Sequence, residues 1–137
     1  MKKAIIVEDS ESIRSRLKDE LERKSDFLVL TAEDGLLGLE LIKKNLDCIV
    51  IITDLHMPNM TGFEMLEELK KEKLCIDTPK IILTSESFYE GDNADKLQER
   101  GKELGVKTWV PKAANEDAFT IIHNVVDRVA KKHNKSS

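Results

Sequence analysis

Four places in this chain set reactive side chains directly after a short apolar, mostly β-branched run: Glu8-Asp9, Thr53-Asp54, Thr84-Ser85 and Pro111-Lys112. If the runs are parallel strands, all four lie along one edge of a sheet, where open α/β folds bind their ligands. Three carboxylates gathered there repel one another unless a cation neutralises them. Hard oxygen donors with room for water suit Mg²⁺, which is held by one or two carboxylates together with a phosphate. A hydroxyl from Thr84 or Ser85 and the ammonium of Lys112 opposite would hold phosphoryl oxygens, the lysine as a point charge. Such a set suits phosphoryl transfer, in which positioning and charge neutralisation carry the catalysis. A carboxylate of the set can itself act as the nucleophile and become an acyl phosphate. Taken singly, these residues have plainer roles. An Asp after a strand is a turn former, Thr84 and Ser85 are turn hydroxyls, Lys112 is a surface lysine, Trp109 is packing and His56 is an exposed loop side chain. It is their joint order that outweighs those roles.

The elements that must position them can be read along the chain. Ala4–Val7 is a first strand, and Ser10 caps a helix whose stripe is Ile13, Leu17 and Leu21. On its other faces the pairs Arg16/Glu20 and Asp19/Arg23 read as solvated decoration. Phe27–Ala32 is a second strand, Asp34-Gly35 a turn, and Leu36–Lys44 a leucine-rich helix. Cys48–Ile52 is a third strand buried on both faces. Pro58 keeps His56-Met57 extended, and Thr61 with Glu64 forms a capping box opening a helix with Phe63, Leu66 and Leu69 inside. Lys80–Leu83 is a fourth strand. Glu90–Leu104 reads as a weakly held helix, since Gly101 falls on its apolar face and costs about 1 kcal/mol against Ala. Thr108–Val110 is a fifth strand. Asn115 caps a last helix with a core stripe of Ala118, Ile121, Ile122, Val125 and Val129, widened by Phe119, Val126 and Ala130. Strands alternating with helical crossovers imply an α/β, doubly wound parallel sheet with helices on both faces.

Composition narrows the function. The 137 residues suit a single domain with a real core. A formal charge of −4 argues against a nucleic-acid surface, and no apolar run reaches membrane-spanning length. Cys48 and Cys75 form neither a disulfide framework nor a metal spacing, so a reducing cytoplasm is the expected compartment.

In these motifs the sequence resembles the receiver domain of two-component response regulators, most closely its single-domain, chemotaxis-type members. The resemblance rests on Glu8-Asp9 after the first strand, Asp54 with Met57-Pro58 and Gly62 after the third, Thr84 after the fourth and Lys112 after the fifth, and it covers essentially the whole chain. It implies a flavodoxin-like five-stranded sheet of order 2-1-3-4-5. It further implies that Asp54 accepts phosphoryl from a histidine kinase or phosphotransfer protein. Asp9, Asp54 and the backbone carbonyl of His56 would bind Mg²⁺, with Glu8 acting mainly through water, and Thr84 and Lys112 would bind the phosphoryl group. Trp109 stands in the place of the switch aromatic, and the face of the fourth helix, fifth strand and fifth helix would bind a protein target. The expected organisation is a receiver over 1–132, a basic tail over 133–137 and no output domain, working as a cytoplasmic monomer with self-catalysed phosphorylation and dephosphorylation.

The sequence departs from the family pattern in three ways. Ala113 follows Lys112 where the family has Pro in a cis bond, and a cis bond before Ala costs roughly 2.5–4 kcal/mol. Pro111 precedes the lysine, and the stretch from Thr84 to Lys112 is longer than usual. Two competing functions are an unphosphorylated adaptor and a phosphatase of the haloacid-dehalogenase type. The phosphatase requires a second Asp two residues after Asp54, where His56 stands. A flavin site fails because Glu8-Asp9 would face the flavin phosphate with like charge.

Overall fold

Each apolar run pairs as a parallel strand because a helix follows it and carries the chain back to the starting edge. The computed structural model describes residues 1–24, 26–84, 94–111 and 116–136. Along the chain lie β1 (Lys2–Val7), α1 (Glu11–Lys24), β2 (Phe27–Ala32), α2 (Gly35–Lys43), β3 (Val50–Asp54), α3 (Gly62–Lys71), β4 (Lys80–Thr84), α4 (Ala94–Glu103), β5 (Val106–Pro111) and α5 (Glu116–Ser136). The strands form one sheet of order β2-β1-β3-β4-β5, every pair parallel. The expected α/β fold and strand order are therefore present. No helix among the described residues is long and apolar enough to cross a membrane.

Alternate residues of the central strands feed two separate cores, because side chains on a strand point to opposite faces in turn. Ile5, Val7, Ile51 and Ile82 pack with Met65, Leu66 and Leu69 of α3 and Ile42 of α2. Ala4, Ile6, Val50, Ile52, Ile81 and Leu83 pack with Leu17 and Leu21 of α1 and with Ile122 and Val126 of α5. With both faces covered, β3 and β4 are buried along their whole length. That is why they lack polar alternation.

Several boundaries and buried positions differ from the sequence reading. Cys48 precedes β3 instead of opening it, yet remains buried, because Cys48 N–H donates to Asn45 O (3.0 Å) and holds the loop against the core. Asp34 is the N-cap of α2, and Gly35 is the helix's first residue. On α5 the buried positions among the described side chains are Phe119, Ile122, Val126 and Ala130, whereas Ile121 is 46% exposed. The stripe is rotated by about one residue, since large Phe119 sets the contact with α1, where Arg16 lies 4.4 Å over its ring. Arg23 pairs with Glu20 at 2.7 Å. The basic stretch after Val129 continues α5, which runs to Ser136. Residues 90–93, Asn115 and the Lys112–Ala113 bond lie outside the described residues.

Asp34 bears on the placement of the site. Its Oδ1 accepts from Leu37 N–H (2.8 Å) and its Oδ2 from the Asn59 side-chain amide (2.8 Å), which ties α2 to the loop after β3. Asn59 itself adopts a left-handed backbone (φ 68°), a conformation Asn tolerates better than most residues. The Leu37 hydrogen bond, aided by that from Asn59, holds the Asp34 carboxyl below its ordinary value of 3.8. The carboxylate's contribution to stability is therefore full above pH 3.8 and is lost as the pH falls through the lower folded value. Asp34→Ala should cost about 1–2 kcal/mol at neutral pH, read as a lower urea midpoint. Asp34→Asn should keep most of that stability and lose the acid-side slope. An Asp34→Ala midpoint equal to wild type would rule out this tie.

Candidate functional site

The site edge is assembled by register. Val7 of β1 pairs with Thr53 of β3, so Glu8, the residue just after β1, comes level with Asp54. Asp54 in turn pairs with Leu83 of β4, and Thr84 pairs with Pro111 of β5. The pairing of β1 with β2 continues one step past the strand, where Glu8 N–H donates to Ala32 O (3.0 Å). Arg14 from α1 donates to the Glu8 carbonyl (2.8 Å) and fixes the turn from the other side.

The three carboxylates do converge. One oxygen from each of Glu8, Asp9 and Asp54 lies within 4.8 Å of the other two. Glu8 and Asp54 are buried, whereas Asp9 is exposed at the mouth. Asp54 Oδ1 accepts from Leu55 N–H (2.7 Å), which orients its carboxylate, and Thr53 Oγ1 donates to the Asp54 carbonyl (2.9 Å). Thr84 is buried beside them, its hydroxyl donating to Val110 O of β5 (3.3 Å). The His56 side chain is exposed, so its contribution to a metal would come from the backbone, as the resemblance implies. Lys112 and Ser85 lie outside the described residues.

The turn after Asp54 is held by tight contacts. Gly62 N–H donates to Leu55 O (2.9 Å), and a Cβ at Gly62 would stand 2.2 Å from the Asp54 carbonyl oxygen. The capping box is fully formed: Glu64 N–H donates to Thr61 Oγ1 (3.2 Å) and Thr61 N–H to Glu64 Oε1 (3.0 Å). Those bonds hold the Glu64 carboxyl below its ordinary range.

Trp109 sits on the α4 side of the sheet. It is half-buried and makes an edge-on contact with Phe63 of α3 (ring centroids 6.2 Å apart). A Cβ at Gly101 of α4 would stand 2.5 Å from its Cζ2. The glycine that weakens α4 is therefore the seat of the indole.

An all-parallel sheet of this order, with an acidic triad and a buried threonine on its carboxyl edge, defines a class of protein. The chain belongs to the response regulator receiver domain family, which residues 4–123 match. It is 39% identical over 84 residues to a chemotaxis protein CheY homolog of Campylobacter jejuni, covering 61% of this chain and 65% of that one. It is 33% identical over 126 residues to the transcriptional regulatory protein YdfI of Bacillus subtilis, covering 91% of this chain and 54% of that one. The match thus spans less than two thirds of either relative's length. Among solved structures it resembles the chemotaxis response regulator CheY4 of Vibrio cholerae, at 30% identity and TM-score 0.75, covering 94% of this chain and 98% of that one.

The triad makes metal binding testable by stability alone. Three oxygens within 4.8 Å of one another, two of them on buried carboxylates, fit a small hard cation. A cation at tenfold its dissociation constant should stabilise the fold by about 1.4 kcal/mol. Melts with Mg²⁺ should therefore shift upward by several degrees, and Asp9→Asn should remove most of that shift. Because Asp9 is exposed, the variant should fold normally. Equal Mg²⁺ shifts in wild type and Asp9→Asn would exclude Asp9 as a ligand.

Proposed function

We propose that this chain is a phosphorylatable receiver in which Asp54 takes a phosphoryl group from the phosphohistidine of a histidine kinase or phosphotransfer protein. An Asp54 oxygen attacks phosphorus, the phosphorus–nitrogen bond breaks, and the histidine leaves as neutral imidazole after gaining a proton. The observation that carries this reading is the Glu8–Asp9–Asp54 cluster at the carboxyl edge of a receiver-family sheet. Mg²⁺, held by Asp9, Asp54 and the His56 carbonyl with Glu8 acting through water, would neutralise charge on the acceptor and on the phosphoryl oxygens. Thr84 and Lys112 would take the remaining phosphoryl oxygens. The Thr84 hydroxyl, which here donates to Val110 O, has to release that carbonyl to do so.

That release supplies the switch. Trp109 is the neighbour of Val110 in β5 and is seated on α4, so a shift at the Val110 carbonyl reaches the indole and through it α4. The changed face of α4, β5 and α5 then binds a protein target. The chain works as a monomer in the cytoplasm, in two-component signalling of the chemotaxis or phosphorelay kind. It catalyses its own dephosphorylation and binds neither nucleic acid nor membrane.

Intact mass after incubation with acetyl phosphate and Mg²⁺ tests this reading. One phosphoryl group should add to wild type, none to Asp54→Asn, and little without the metal. A chain that melts normally yet takes up no phosphoryl under these conditions is an adaptor instead.

A further inference from the structure

The edge of the sheet opposite Asp54 holds a second chemical cluster, and it involves both cysteines. Ile51 of β3 pairs with Lys80 of β4, so the loops entering these strands lie side by side. Cys48, in the first loop, is 5% exposed, and Cys75, in the α3–β4 loop, is half-buried against the same core. Both side chains pack into the same core cluster, where the two thiols are near enough to influence each other's titration. The Cys75 loop is shaped by left-handed backbone at Lys73 (φ 58°) and Cys75 (φ 53°). In this shape the carbonyls of Cys75 and Thr78 both accept from Lys80 Nζ, at 2.7 and 2.9 Å. Lys80 is a lysine only 5% exposed at the start of a buried strand. Its ammonium also lies close to the α4–β5 turn, since a Cβ at Gly105 would be 3.5 Å from Nζ.

A buried free cysteine is by default a small apolar side chain. This pair differs because one thiol is partly accessible, packed in one cluster with the other, and on a loop whose carbonyls hold a fixed cation. We propose that Cys75 is a site of thiol oxidation by hydroperoxides and that Cys48 is its resolving thiol, so that oxidation closes a Cys48–Cys75 disulfide. The Cys75 thiolate attacks one peroxide oxygen, the O–O bond breaks, and the departing oxygen takes a proton to leave as water or an alcohol. Cys75 is then a sulfenic acid. The Cys48 sulfur attacks the Cys75 sulfur, the S–O bond breaks, and the Cys48 proton leaves with the hydroxide as water. The two thiols lose two electrons and the peroxide gains them.

The charges around the pair favour this order. Its interaction with Cys48, with further help from Thr78 and Lys80, lowers the Cys75 thiol to about 6, while the same interaction and burial push Cys48 up. Asp47 beside Cys48 and Asp77 beside Lys80 are the acidic groups facing the cluster. A thiol held low is more fully thiolate at neutral pH, but that thiolate is intrinsically less nucleophilic. The pH profile therefore identifies Cys75 better than its rate does.

The test uses the full chain treated with hydrogen peroxide, then intact mass and non-reducing peptide mapping. The expected product is a monomer lighter by two hydrogens, with a single Cys48–Cys75 cross-linked peptide and a higher melting midpoint. Cys48→Ser should stop at a sulfenic acid trapped by dimedone on Cys75, and Cys75→Ser should leave Cys48 reduced. Alkylation of Cys75 by iodoacetamide should level off at lower pH in wild type than in Cys48→Ala. Asp54→Asn should oxidise as wild type does, which separates this result from the phosphoryl reading. Over-oxidation of Cys75 with Cys48 left reduced, a disulfide-linked dimer, or inert thiols in the folded chain that oxidise once it is unfolded in urea would each overturn the proposal.

Discussion

Gly62→Ala will destabilise the domain and degrade the acceptor site together. The position opens α3, where Ala would ordinarily gain up to about 1 kcal/mol over Gly. What Gly62 provides is space, because an added Cβ would stand 2.2 Å from the Asp54 carbonyl oxygen and 3.3 Å from Leu55 Cα. Both neighbours are backbone and cannot swing aside as a side chain can. The Asp54 carbonyl also accepts from the Thr53 hydroxyl, and Leu55 O from Gly62 N–H, so a displacement breaks bonds already made. Overpacking of this kind costs roughly 1–3 kcal/mol, and rigid neighbours favour the upper end. Because the Leu55 N–H that moves is the donor to Asp54 Oδ1, phosphoryl uptake and the Mg²⁺ shift should fall along with stability. The measurements are a urea midpoint at unchanged slope and intact mass after acetyl phosphate. A variant as stable as wild type and phosphorylated as fast would show that the contact restrains nothing.

Gly101→Ala will free the indole of Trp109. Here the atom in the way is a side chain, Cζ2 at 2.5 Å, so the ring can leave where a backbone carbonyl cannot. Leaving forfeits the edge-on contact with Phe63, worth about 0.5–1.5 kcal/mol. Ala in a helix interior returns about 1 kcal/mol. Net stability should therefore change little, while the emission of the only tryptophan shifts strongly to the red. If the indole links the phosphoryl site to α4, the emission change that phosphorylation causes in wild type should be lost in Gly101→Ala. Gly101→Ala combined with Trp109→Phe should refill the seat with a smaller ring and be at least as stable as wild type. Unchanged emission in Gly101→Ala would mean that α4 yields instead of the ring, and that Trp109 is fixed packing.

What could be read from the residues alone was whatever acts within a turn or two of its own position. Thr61 and Glu64 cap α3 because both bonds close inside four residues, and the box formed as read. Phe27–Ala32 became β2 with those limits, and Lys80 and Thr53-Asp54 mark strand ends, because β-branched runs bounded by polar residues leave the chain few options. The convergence of Glu8, Asp9 and Asp54 was also legible. Alternating strands and helices force a parallel sheet, and a parallel sheet puts its strand ends on one edge. Tertiary structure decided what depends on which side chain meets which across the fold. Gly101 looked like a flaw in a weak helix, and only the packing of β5 under α4 shows it as room for Trp109. Ile121 has the hydropathy of a core residue, but the contact of Phe119 with α1 turns the helix so that Ile121 faces out. Cys48 and Cys75 have no spacing that links them, and the β3–β4 register alone brings the loops that carry them into one core cluster beside Lys80. Local hydrogen bonds and propensities are written in adjacent residues, whereas these contacts are set by crossover length and strand register, which no short stretch encodes.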